Sequence, residues 1–325
     1  MIILDAGWQV VLLEKGQHRL GERHHCAHAE LAEAADDIWE SLRNDGYKNE
    51  PLLLALGSSS CVTATLPLPT ARHARQRLAM AYLLEPHLPW AAEDAAVDYR
   101  ADGPRAFMVA AEAGPLREVV SRLEELGARV DAVSPLASLA LARHLAEHPR
   151  IASSYILVWS QGETADLWLI EGEQPIGWRW LQLDGKSIQL AIQETTLSEH
   201  GALPVVARNL PDEVCNELGS AEYLDFQRLN SDTSGELQEC AFAEAADVVQ
   251  GRRVAMLDFR RGALASADRN RPIRRRIVIA QLLVCLFLAA VGTALFLQAE
   301  QYDAQRRLLA DQQQDAFRLA FPEQR

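Results

Sequence analysis

The sequence predicts a duplicated, two-lobed α/β body, then one membrane-spanning helix and a short helical stalk. Three observations predict it. The order strands, helix, strand, helix occurs twice within the first 260 residues. The run Ile277–Leu297 (IVIAQLLVCLFLAAVGTALFL) holds 21 residues without a charge; about 20 apolar residues cross a hydrocarbon core of about 30 Å. Charge is unevenly spread: residues 1–268 carry 23 Lys/Arg against 40 Asp/Glu, and residues 269–325 carry 9 against 5.

The elements follow from periodicity and breakers. Strands are expected at 2–5 and 9–13 and a helix at about 27–44, with Leu31, Ala34, Ile38 and Leu42 on one face. Strands at 51–56 and 61–66 end in Pro67 and Pro69, and a helix spans about 71–85. Strands near 95–100 and 105–112 flank the turn Ala101-Asp102-Gly103-Pro104. Pro115 opens a helix that Gly127 stops, and a strand near 129–133 leads to a helix at 136–147. The second half then repeats the opening. Strands at 155–159, 164–170 and 174–182 precede a helix at 186–199, a strand at 204–207 and a helix at 212–218. Residues 228–238 read as a loop, 240–250 as a helix and 253–258 as a closing strand.

The expected domains are a body at 1–268, a basic segment at 269–276, the span at 277–297 and a stalk at 298–325. Within the body, one lobe covers about 1–150 with an inserted subdomain at about 67–112, and the other covers about 151–260. Arg271, Arg274, Arg275 and Arg276 precede the span, so the positive-inside rule places the body in the cytoplasm. The same arginines suit anionic lipid headgroups. The start MIILDAGW has no charged leader and no cleavage site. Net charge over 1–268 is −17, from the counts above, which argues against nucleic acid as a partner. Five cysteines without a CxxC pair argue against a disulfide scaffold or zinc ribbon. In the stalk Tyr302, Leu309 and Ala316 recur every seven residues, but Gln305 and Gln312 between them are polar, a weak seam for a self-dimer.

Other constellations have bland readings beside the sharp ones. His24, His25, Cys26 and His28 are soft ligands, but no second cluster completes a closed site. Glu93-Asp94 reads as an exposed turn rather than an acid/base pair. Gly57-Ser58-Ser59-Ser60-Cys61 lacks the closing Gly of a nucleophile elbow. Trp159, Trp168, Trp178 and Trp180 crowd three consecutive strands, as core packing or as a docking surface.

Three stretches carry a family likeness. They are Asp258-Phe259-Arg260-Arg261-Gly262 with Arg271-Pro272 before the span, the stalk end Phe317-Arg318-Leu319-Ala320-Phe321-Pro322, and Leu66-Pro67-Leu68-Pro69 with Glu93-Asp94 and Asp98-Tyr99. In these the chain resembles the inner-membrane platform protein L of bacterial type II secretion systems. The third stretch also resembles the actin-like pilus-assembly protein M. The resemblance implies an actin-like (ribonuclease H-like) cytoplasmic domain at the inner membrane and a scaffold role without catalysis. It implies the secretion ATPase (protein E) and platform proteins M and F as partners. The family's periplasmic ferredoxin-like domain is expected to be absent from this sequence, which stops at Arg325, either as a truncated product or because the module is missing. Type IV pilus assembly with bound ATP, a membrane-tethered kinase-like ATPase and a single-pass sensor are the alternatives.

An actin-like fold that binds ATP uses two Asp/Gly phosphate hairpins and a Gly-rich adenine loop, because backbone N–H groups must approach phosphate closely. The nucleotide candidates here are Asp5 and Gly7 at the first hairpin, Gly162 and Thr164 at the second, and Gly185 in Asp184-Gly185-Lys186-Ser187. Trp159 stands where a short acid would serve metal, and Gly219-Ser220 is the adenine-loop candidate. This degenerate set predicts no ATP hydrolysis and no required cofactor.

Overall fold

In the computed structural model the described residues are 1–4, 7–14, 17–25, 33–148, 154–195, 203–221, 224–229, 237–265 and 271–320. The chain divides into two compact units, Met1–Ala265 and Ser266–Arg325. In the first, β1 (Ile2–Leu4), β2 (Trp8–Glu14) and β3 (Gln17–His24) form an antiparallel meander. β4 (Pro51–Leu56) and β8 (Arg129–Pro135) extend it in parallel, giving the order β3-β2-β1-β4-β8. Helices α1 (Ala35–Asn44) and α3 (Ala113–Glu125) bring Ile38, Leu42, Leu116, Val119 and Leu123 into its core.

The second sheet repeats the plan. β9 (Ser154–Gln161), β10 (Thr164–Glu171) and β11 (Gln174–Gln182) form the meander, and β12 (Pro204–Arg208) and β13 (Asp225–Arg228) add in parallel. The order β11-β10-β9-β12-β13 matches the first sheet strand for strand. Side chains of a strand alternate between faces. Ile156 and Val158 therefore face α5 (Gly185–Thr195) and α6 (Asp212–Gly219), while Tyr155, Leu157 and Trp159 join the first core. That first core also takes in α4 (Leu136–Glu147) and α7 (Leu237–Val249).

Between β4 and α3 lies a three-stranded antiparallel sheet, order β5-β7-β6, made of β5 (Val62–Pro67), β6 (Ala95–Asp102) and β7 (Arg105–Glu112). Helix α2 (Arg77–Leu84) covers it through Met80, Ala81 and Leu84. The edges of β5 and β11 meet through hydroxyls rather than a ladder. Thr63 Oγ1 donates to the Trp178 carbonyl at 2.5 Å, and the Thr65 hydroxyl donates to the Ile176 carbonyl.

The described residues of the second unit form one continuous helix, α8 (Arg271–Ala320), of 50 residues, about 75 Å long. Leu283, Val284, Leu286, Phe287, Leu288, Val291, Leu295 and Phe296 on it are all exposed; at 100° per residue they point to nearly every side. Among the described residues no helix is long and apolar enough to cross a membrane. Of the expected span, the side chains of 277–280, 282 and 297 lie outside the described ones, as do those of Arg271, Arg274, Arg275 and Arg276.

The structure corrects several sequence expectations. Two polar edge strands, β3 and β13, carry too little apolar alternation to be recognised. The helix expected from 71 begins at Arg77, after a short 3-10 turn at Arg72–Arg75. The strand expected at 253–258 does not form. The Arg252 and Arg253 amides donate to the Asp247 carbonyl at 2.9 and 3.2 Å, and the Asp258 amide donates to the Asp98 carboxylate at 2.8 Å. Its donors are thus committed to a helix end and a side chain. Of the helix expected at 27–44, residues 26–32 lie outside the described ones, as do 196–202 of that expected at 186–199.

Candidate functional site at the strand ends

In open α/β sheets ligands settle at the carboxyl ends of the parallel strands. In the second sheet β9 and β12 end together, with Arg208 opposite Trp159 in the register. Three side chains meet there. The Arg208 guanidinium carbon lies 4.5 Å from the centre of the Trp159 ring. Arg208 Nη1 lies 2.8 Å from Nδ1 of His144, which α4 delivers from the other side. The His144 ring meets Trp159 edge-on at 5.8 Å. His144 and Trp159 are 0% exposed and Arg208 is 7% exposed.

The chemistry of this cluster fixes its protonation. A guanidinium only donates, so His144 Nδ1 accepts and the imidazole proton sits on Nε2. Burial first, then the Arg208 charge and His148, push His144 down to about 3. The imidazole is therefore neutral at physiological pH. The arrangement stacks a cation on an indole, worth about 2 kcal/mol when desolvated. It offers no carboxylate to a divalent metal.

The sequence candidates are placed as follows. Asp5 lies outside the described residues. Gly7 has φ +137°, and a Cβ there would stand 1.9 Å from the His24 carbonyl oxygen, so this glycine serves a close backbone approach between β1–β2 and β3. Gly162 opens the two-residue β9–β10 hairpin at φ +60°, the conformation a type II′ turn asks of its first residue. The Thr164 hydroxyl turns back on the Gln161 carbonyl at 2.9 Å. Gly185 starts α5 on the same sheet edge, where the Leu183 amide donates to the Glu163 carbonyl at 3.0 Å. A Cβ on Gly185 would stand 3.0 Å from Glu217 Cβ, so the glycine lets α5 approach α6. The free amides of that helix start already have an anion: Ser187 N donates to Asp184 Oδ1 at 2.8 Å, and the bonds from Ser187 hold Asp184 below the usual carboxylate range. Gly162, Thr164 and Gly185 are thus on one edge of the second sheet, while Gly7 belongs to the first. Gly219-Ser220 closes α6, at the opposite edge from the β9 and β12 ends.

The remaining constellations resolve structurally. His24 stacks on Trp8 at 4.0 Å, while Cys26 and His28 lie outside the described residues. Among the described residues no group of three or more His, Cys, Asp or Glu is placed to hold a metal ion. Trp168 and Trp178 stack at 4.6 Å and are buried, and the Trp178 indole donates to the buried Asp166 at 2.8 Å. Trp180 is the exposed one of the four. Glu93-Asp94 lies in an exposed 3-10 turn.

Sequence reasoning missed a second feature, the buried knot that fixes where the body ends. Asp98, fully buried on β6, accepts from Arg77 Nε at 2.8 Å and from the Asp258 amide at 2.8 Å. Asp258 accepts from the amides of Val133 at 3.2 Å and Arg260 at 3.0 Å. Arg260 Nη2 reaches Glu124 on α3 at 2.6 Å, and Phe259 is fully buried. Burial holds Asp258 above the usual carboxylate range. The segment Asp258–Gly262 thereby ties the inserted sheet, β8 and α3 to one point, eight residues before α8 begins. The available signal was a lone aspartate inside the apolar strand AAVDY.

No family model and no curated protein matches the chain. Two of the similar solved structures bear on the fold. One is the cytoplasmic domain of EpsL, an inner-membrane component of the type II secretion system of Vibrio cholerae, at 18% identity, TM-score 0.50, covering 75% of this chain and 93% of that one. The other is the PilM–PilN type IV pilus biogenesis complex, at 16% identity, TM-score 0.53, covering 77% of this chain and 97% of that one. At these identities the likeness shows the fold, which is actin-like, as the duplicated sheet order requires.

Proposed function

We propose that the chain is a non-enzymatic, membrane-anchored scaffold of a secretion machine, of the type II platform-protein-L kind. The observation that carries this reading is the Arg208–Trp159–His144 stack at the strand ends of an actin-like body. An actin-like enzyme needs those ends open to nucleotide and metal; here the protein's own cation and indole fill them. Among the nucleotide candidates, Gly7 packs on backbone and the α5 start is held by Asp184.

The anchor is the run 277–297, placed in the inner membrane with the body on the cytoplasmic side. Its support is the uncharged sequence, the arginines before it and the all-round apolar exposure of α8, since a helix apolar on every side is a buried or membrane helix. The body recruits the cytoplasmic secretion ATPase, and α8 joins platform proteins M and F. The knot at Asp258–Gly262 ties the last segment of the body to the inserted sheet and to β8.

In-cell crosslinking of the tagged full chain, purification from membranes and mass spectrometry of the products tests this. Recovery of the secretion ATPase with a second single-span platform protein is the expected result. The likeness to PilM favours one other reading, a type IV pilus assembly protein that binds ATP. Recovery of pilus assembly components with a pilus ATPase would replace the scaffold of secretion by that one.

A further inference from the structure

Helix α2 is apolar on both sides. Met80, Ala81 and Leu84 face the inserted sheet, and Leu78, Tyr82 and Leu83 on the outside are 62%, 47% and 42% exposed. Among the described residues they are half of the exposed large hydrophobic residues of the body, on a helix of 8 residues. Single exposed leucines need no explanation, whereas a contiguous apolar face marks an interaction site.

The charges around this face have an order. At its C-terminal end stand Glu85, Glu93 and Asp94, all exposed. The Tyr82 hydroxyl donates to Glu93 Oε1 at 2.6 Å, which holds Glu93 below the usual carboxylate range and therefore charged. At the other end is Arg75, which bonds the Pro69 carbonyl at 2.7 Å. We propose that the outer face of α2 docks a basic amphipathic segment of a cytoplasmic partner protein, with apolar anchors over Leu78, Tyr82 and Leu83 and Lys/Arg over Glu85, Glu93 and Asp94. A second copy of this chain is the poorer occupant, because each body carries 40 acidic against 23 basic residues over positions 1–268 and repels its like. A basic partner is steered in by the same field. This inference rests on the reading of the chain as a scaffold that holds such a partner.

The test uses the purified full chain in detergent and, as probe, the type II secretion ATPase of the same organism. The variants are Leu78→Ser with Leu83→Ser, Glu85→Gln with Glu93→Gln, and Leu190→Ser as a control on α5, where Leu190 is also exposed. Among the described residues only Glu93 of the altered side chains makes a hydrogen bond, with Tyr82, and melting curves check that each variant folds. The double serine variant is expected to weaken binding about tenfold or more, as for loss of central anchors. The double glutamine variant is expected to slow association about threefold at low salt and to flatten its salt dependence. The control is expected to bind as wild type. If the ATPase binds the wild type and the double serine variant equally, the docking face is wrong and the scaffold reading stands. If it does not bind the wild type at all, the scaffold reading itself fails. If the wild type self-associates and the double serine variant does not, a second copy is the occupant and the basic partner is overturned.

Discussion

His144 behaves as a neutral hydrogen-bond acceptor for Arg208 because charging it would place two cations side by side in a dry site. Its pKa in the fold, about 3, is below its ordinary value of 6.5. The unfolded chain therefore binds a proton that the folded chain refuses between those values, and stability is lost as pH falls through that window. Thermal melts of wild type and His144→Gln should show the wild-type advantage shrinking from pH 7 toward pH 4, by up to about 1.4 kcal/mol per pH unit. An advantage independent of pH would mean that the imidazole is not held neutral. Asp98 is the other decisive residue. Removing its carboxylate leaves Arg77 and the Asp258 amide without their shared acceptor, so Asp98→Ala should cost about 3–5 kcal/mol in urea denaturation. A cost under about 1 kcal/mol would show that the knot is not a structural tie. Neither role was legible in the sequence. His144 and Arg208 are 64 residues apart and Asp98 and Asp258 are 160 apart, and no local pattern reports a contact across that separation.

The elements were legible where periodicity is strong and illegible where tertiary partners decide. Helix 136–147 and strands 51–56, 105–112 and 174–182 follow directly from apolar spacing and turn residues. Strands β3 (QHRLGERH) and β13 (DFQR) escaped because edge strands that are polar on both faces show little apolar alternation. Residues 253–258 (RVAMLD) read as a strand because Val254–Leu257 are apolar, yet Val254 is exposed and the burial of Ala255–Asp258 comes with the knot, not from a ladder. The nucleotide candidates were read from glycine spacing, and the structure assigns two of them to packing, at Gly7 against His24 and at Gly185 against Glu217. Glycine alone does not distinguish a phosphate cradle from a close approach of chains. The clasp between β5 and β11 gives a prediction at this scale. Thr63→Val with Thr65→Val keeps the shape and removes two hydroxyl donors, so it should cost about 1–3 kcal/mol in total. Hydrogen exchange should then quicken in β5 and β11 before the rest of the body. Unchanged exchange there would show that the clasp contributes nothing.

Across the whole first unit the sheets are tied to one another. The two sheets share a core, the inserted sheet is clasped to β11, and the strand ends that would open for a ligand hold Arg208, His144 and Trp159. On the reading proposed above, such a body presents surfaces to partners, the outer face of α2 among them. The most direct test is amide hydrogen exchange of the full chain in detergent, with and without millimolar Mg-ATP, read across α4, β9 and β12. The account predicts slow exchange in all three segments and no change on adding nucleotide. Fast exchange that ATP slows in α4, β9 and β12 would contradict it, and would make the strand ends a nucleotide site.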